Sequence, residues 1–83
     1  MNAEGRVHVR VDARDNVTTV LDNRRDETRL AGGGRAAAGV PFGHKIALVP
    51  IAAGAAVIKY GIVIGHATHE IDCGEHVHVH NCA

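Results

Sequence analysis

Near the end of the chain, the run "GEHVHVHN" (74–81) sets three imidazoles two residues apart. On an extended strand, residues two apart point to the same side and lie about 6.6 Å from one another. His76, His78 and His80 would then share one face, with Val77 and Val79 turned toward the core. Neutral imidazole ligates divalent metals, and its pKa suits it to moving protons near pH 7. A pair of histidines at this spacing holds one ion only if another element adds a third ligand. The plainer alternative is a polar strand face with no chemical role. An affinity tag is excluded, because tag histidines are contiguous and these are interleaved with valine behind Gly-Glu.

A second stretch with chemical potential is "PFGHKIAL" (41–48). Gly43 permits a tight turn, and His44 and Lys45 stand where a loop becomes a strand. Neighbours on a regular strand face opposite ways, so both reach one site only where the backbone is irregular. Together they would pair a proton-handling imidazole with a carboxylate-binding ammonium; the alternative is a capping histidine beside a surface lysine. Lys59 is a further cation that can reach a substrate or partner. His8, His66 and His69 have no partner at sequence spacing and read as surface residues. Tyr60 reads as packing, since the chain has few large side chains.

The elements that must position these residues are short and β-rich. Valine and isoleucine dominate the apolar set, and leucine occurs only at 21, 30 and 48. Branching at Cβ costs rotamer freedom in a helix and suits a pleated surface. "RVHVRV", "NVTTVL", "KIALV", "VIKYGIVI" and "HVHVH" read as strands, and no segment keeps a helical period. "DNRRDET" fits a solvated loop or one helical turn. "LAGGGRAAAG" (30–39) reads as a flexible loop; it lacks the Lys-Ser/Thr ending of a phosphate loop. "IAAGAAV" (51–57) and "IDCGEHV" (71–77) echo one another as Ile-x-x-Gly-x-x-Val at an offset of twenty residues. Each predicts a tight turn at glycine leading into a strand.

With 83 residues the chain is one small domain, residues 1–83. Its core must be thin, so an active site would lie on the surface or be shared with a partner. Nine basic residues balance nine acidic ones, and Phe42 and Tyr60 are the only aromatics besides histidine. Neither a phosphate-neutralising stripe nor a base-stacking platform is present, which excludes nucleic-acid binding. "MNAEGRVHVRV" is no signal peptide, and the apolar stretch from Ile46 to Gly65 is interrupted by Pro50, Gly54, Lys59 and Gly61. Two cysteines make no disulfide framework, so a cytoplasmic setting is expected. Exposed strand edges make a homo-oligomer an expectation as well.

Taken together, "DNV" (15–17), "GHKIAL" (43–48), "VIKYGIVIG" (57–65) and "GEHVHVHN" resemble the SAF domain of the altronate and galactarate dehydratases, over about residues 7–81. The domain also occurs as a separate small subunit of such enzymes and of sulfolactate sulfo-lyases. The resemblance implies an all-β fold of the β-clip type. It also implies a carbon–oxygen lyase acting on a sugar acid, a divalent metal (iron(II)) and a large catalytic subunit as partner. A sulfo-lyase alpha subunit and a non-catalytic SAF module are the alternatives. Pro50 and the Gly/Ala-rich segment depart from the family's usual pattern. On this footing His44, Lys45 and His80 are candidate catalytic residues, Lys59 and Asn81 candidate substrate contacts, and His78 and His80 candidate metal ligands. His76, entering from the turn, is expected to be structural.

Overall fold

The computed structural model describes residues 5–83, so the N-terminal reading falls partly outside the described residues. No helix forms among them, and none is therefore long and apolar enough to cross a membrane. Six short strands form instead: β1 (His8–Val9), β2 (Val17–Val20), β3 (Lys45–Ala47), β4 (Ala56–Lys59), β5 (Ile62–His66) and β6 (His76–Val77). They make a four-stranded antiparallel sheet in the order β1-β2-β3-β6 and a separate β4-β5 hairpin. The all-β expectation holds, and "DNRRDET" is a loop with a single turn.

The twenty-residue echo in the sequence is a local two-fold in the structure. Ile51 and Ile71 exchange both backbone hydrogen bonds at 2.8 Å, and Gly54 and Gly74 each turn the chain at a positive φ of 83° and 88°. The amide of Gly54 donates to the carbonyl of Ala67 and that of Gly74 to Ala47, both at 2.8 Å. Asparagine completes each half. Asn16 Nδ2 donates to the Ala56 carbonyl and Oδ1 accepts from Ile58 N; Asn81 does the same to the His76 carbonyl and His78 N. Ile51, Val57, Ile71 and Val77, the apolar ends of the two motifs, meet in one core cluster with Val17, Ala47 and Ala67. Two small motifs that could not bury their apolar faces alone do so against each other.

A second cluster of Val20, Leu30, Ala36, Val40 and Ile46 closes the other end. It ties down the glycine-rich segment, which is a loop but a pinned one: Ala37 N donates to Gly74 O at 2.7 Å and Gly39 N to Arg25 O at 2.8 Å. Beside it Arg6 is fully buried, with Nε on Asp22 Oδ1 at 2.8 Å, Nη2 on the Asp22 carbonyl at 2.7 Å and Nη1 on the Val40 carbonyl.

Three sequence readings need correcting. His8 is half-buried rather than on the surface, because its ring bridges Thr18 Oγ1 at 2.7 Å and the Ala31 carbonyl at 2.8 Å. Tyr60 is not core packing: it is 49% exposed at the hairpin tip, at φ 57°, under the Lys59 ammonium. The strand expected through His80 ends at Val77, where the chain turns, so Val77 is buried while Val79 is 81% exposed.

Candidate functional site: a histidine cluster beside a lysine pair

β6 pairs with β3 so that His76 lies opposite Ile46 and Val77 opposite Lys45. The Pro41–His44 turn, closed by His44 N on the Pro41 carbonyl at 3.1 Å, delivers the His44 ring next to His76. His44 Nδ1 is 3.0 Å from His76 Nε2. The turn after β6 folds His78 back onto His44, with ring centroids 4.1 Å apart and the planes stacked. One potential ligand nitrogen from each of His44, His76 and His78 lies within 4.8 Å of the others. All three are partly buried.

The tightness of this group follows from the turn. Had the strand continued, alternate rings would stand two residues apart in a row; the turn brings His78 across onto the β3 side instead. His80 is exposed on that turn, its ring centroid 5.3 Å from His76. It lies outside the compact trio, whereas His76, expected to be structural, lies inside it. The pair expected as metal ligands is thus split: His78 lies in the trio and His80 outside it. Spacing alone carried no signal for this, because the turn rests on a buried side chain.

That side chain is Asn81, 1% exposed. Its Oδ1 accepts from His78 N at 2.9 Å, and Nδ2 donates to the His76 carbonyl at 2.9 Å and to Glu75 Oε2 at 3.2 Å. Its acceptor and both donors are engaged within the chain, and through them Asn81 holds the backbone at His76 and His78. Its counterpart Asn16 makes the matching bonds around Ala56 and Ile58, where no histidine stands. Replacing either asparagine by alanine should cost about 1–3 kcal/mol, as for any unsatisfied buried polar group. In urea titrations the two variants should match, while only Asn81→Ala weakens metal binding; equal metal affinity in both would deny Asn81 this role.

Electrostatics favour the neutral form of His44 and His76. Burial, then the neighbouring His44, His80, His78 and Lys45, push the His76 pKa down to about 4. Burial, His78, Lys45 and Arg25 lower that of His44. Neutral imidazoles are what a metal requires, since ligation and protonation compete. The sign of the stability effect follows. An unfolded histidine takes up its proton near pH 6.5, but folded His76 does so only near 4. Stability of the metal-free chain is thus full above pH 6.5 and falls as the pH drops toward 4. After discounting for solvent screening, about 1–2 kcal/mol should be lost across that window. Urea midpoints would show it, and His76→Gln should flatten that limb; an unchanged slope in the variant would count against this assignment.

Lys45 and Lys59 influence one another electrostatically. Burial, then the charge of Lys59, lowers the Lys45 pKa, and the charge of Lys45 in turn acts on His44 and His76. Neither ammonium has a carboxylate partner among the described residues. Lys59 lies 4.8 Å from the centre of the Tyr60 ring. Lys45 stands opposite Val77 and Ile46 opposite His76, so the Lys45 side chain leaves β3 on the face away from His76 and acts on the trio only through its charge. His66 and His69 are exposed, as expected. An open groove lined by Arg35, Cys73 and Glu75 contains none of the candidate histidines or lysines. Cys73 and Cys82 are free thiols.

Similar sequences are found in known proteins. The sequence profile of the altronate/galactarate dehydratase SAF domain matches residues 6–83. The chain is 40% identical to the altronate dehydratase of Escherichia coli (strain K12) over 77 residues, covering 89% of this chain and 16% of that enzyme. It is 49% identical over 47 residues to the (2R)-sulfolactate sulfo-lyase subunit alpha of Paracoccus pantotrophus, covering 57% of this chain and 70% of that subunit. Against the galactarate dehydratase (L-threo-forming) of E. coli, identity is 35% over 69 residues, which is 81% of this chain and 13% of that enzyme. The chain thus spans only a small fraction of the dehydratases it matches. With nearly all of its length covered by one domain profile, and with an all-β fold to match, the chain belongs to the SAF-domain family of the altronate and galactarate dehydratases.

Proposed function

We propose that this chain is the small, histidine-bearing component of a carbon–oxygen lyase, completed by a large catalytic polypeptide in the cytoplasm. The reaction in this reading dehydrates a sugar acid such as altronate or galactarate to a 2-keto-3-deoxy acid. The observation that carries it is the close grouping of the His44, His76 and His78 rings, with His44 and His76 held toward the neutral form. Two imidazoles bound at about 2.1 Å and at right angles on one ion place their nitrogens about 3.0 Å apart. His44 Nδ1 and His76 Nε2, hydrogen-bonded at 3.0 Å, already stand at that separation, and with His78 within 4.8 Å a small ring movement completes the donor set for a divalent ion such as iron(II). Bound there, such an ion would supply Lewis-acid stabilisation of charge developing on the substrate carboxylate. Positive charges at the flank disfavour a bare cation and favour one arriving with an anion.

The chain's own residues divide the remaining work. Lys45 and Lys59 attract and orient the carboxylate. A proton leaves C2, the C3 hydroxyl departs with a proton as water, and the resulting enol tautomerises to the ketone. His80, exposed at the mouth of the cluster, is the imidazole free to carry a proton, since it is not needed as a ligand. A surface-lying cluster cannot exclude water, so the large polypeptide closes the site and supplies the remaining groups. A sulfo-lyase alpha subunit is the second reading, favoured by one observation: the match covers 70% of that subunit's length.

Two measurements test the proposal. Cobalt(II) titrated into the purified chain should give a saturable visible absorption band that His44→Ala or His76→Ala removes; no such band would end the metal reading. The purified chain alone should show no turnover of altronate, galactarate or sulfolactate. Turnover by the chain alone would refute the need for a partner.

A further inference from the structure

We propose that the outer edge of β5 is the seat of the large catalytic polypeptide, which lays a strand or apolar face against Ile62, Val63 and Ile64. This rests on the function proposed above. The three side chains are 65%, 53% and 44% exposed. Successive strand residues face opposite sides, so both faces of the strand are bare, and β4 is its only strand neighbour. The edge carries no charge or proline of the kind that usually protects solitary edge strands. Its one irregularity is a bulge at Ile64, the extra residue between Gly65, opposite Val57, and Val63, opposite Ile58; beyond it His66 pairs with Ala83.

The hairpin is also held rigid, although two-stranded hairpins are marginal by themselves. Gly61 N donates to Asp15 Oδ1 at 2.7 Å, fixing the tip, and Asn16 clamps the backbone of Ala56 and Ile58. A braced, apolar, uncharged edge is pre-organised for accepting a strand.

Two features select the catalytic polypeptide as occupant over a second copy of this chain. Lys59 stands opposite Ile62 in the hairpin register, so a body on β5 borders one of the two lysines that the proposed reaction assigns to the substrate carboxylate. Ala83 exchanges both backbone hydrogen bonds with His66 at 2.8 and 3.0 Å, so any chain fused after the matched domain emerges at the end of β5. The matched part is only 16% and 15% of two altronate dehydratases, leaving a large body to meet the domain. Three strand residues present far less than the roughly 800 Å² per partner of a stable interface, so the occupant must also contact surface beyond this edge, which a polypeptide fused at the end of β5 is held in place to do.

The test places this chain in the E. coli altronate dehydratase in exchange for the matched segment, and also supplies it in trans to the rest of that enzyme. Amide hydrogen exchange is followed for residues 62–64. The fast-exchanging amides there should slow at least tenfold in the fusion or the mixture relative to the free chain. Val63→Lys/Ile64→Lys should leave the melting temperature of the free chain unchanged and abolish that protection. Equal exchange in free and assembled chains would overturn the proposal, as would concentration-dependent protection in the free chain, which would assign the edge to a self-pair. A protected edge in an inactive assembly sinks the dehydratase reading alone; an active assembly with an unprotected edge sinks the docking alone.

Discussion

His76→Ala is expected to abolish cobalt(II) binding and to lower turnover of the assembled enzyme by roughly a hundredfold or more, the scale of one lost charge-stabilising or proton-transfer group. The size follows from position. His76 is the ring in contact with all the others: 3.0 Å from His44 by nitrogen, and 5.7 and 5.3 Å by centroid from His78 and His80. Its side chain is partly buried and contributes no core contact that alanine would leave empty, so the fold should survive. His80→Ala separates the roles. On this geometry it leaves metal binding intact, and any loss of turnover then measures proton transfer, read as a changed pH profile of kcat. Full activity in His76→Ala would return the cluster to a polar surface feature.

Arg6→Met should unfold the domain or come close to it. Arg6 is fully buried and its guanidinium makes its bonds to Asp22 and the Val40 carbonyl, inside a chain with a thin core. Removing one partner of a buried pair typically costs about 3–5 kcal/mol, because the other charge and its acceptors are left without compensation. A small domain has about 5 kcal/mol or a little more to lose. Asp22→Asn should fall in the same range, for it strands the guanidinium. Both losses are readable as urea midpoints and melting temperatures. A double replacement by apolar residues of matching volume should recover much of the stability, since no buried charge then lacks a partner. Single variants with melting temperatures within a few degrees of the parent would contradict this account.

The strand-forming segments, the all-β class and the two Ile-x-x-Gly turns were legible in the sequence, because branching at Cβ, alternation and glycine at positive φ are local requirements. His44 and the 76–80 histidines, singled out from residue type and spacing, do lie together in the fold. The phase of "RVHVRV" was not legible: Arg6 and His8 turn inward because Asp22, Val40, Thr18 and Ala31 offer partners that are 10 to 34 residues away. The identity of the trio was not legible either. It depends on where β6 stops, and that depends on Asn81 bonding back to His76 and His78 while Glu75 holds its amide. Local pattern decides what a segment prefers to be; only the folded chain decides which buried polar groups find each other, because each such bond joins stretches whose separation the local pattern does not encode.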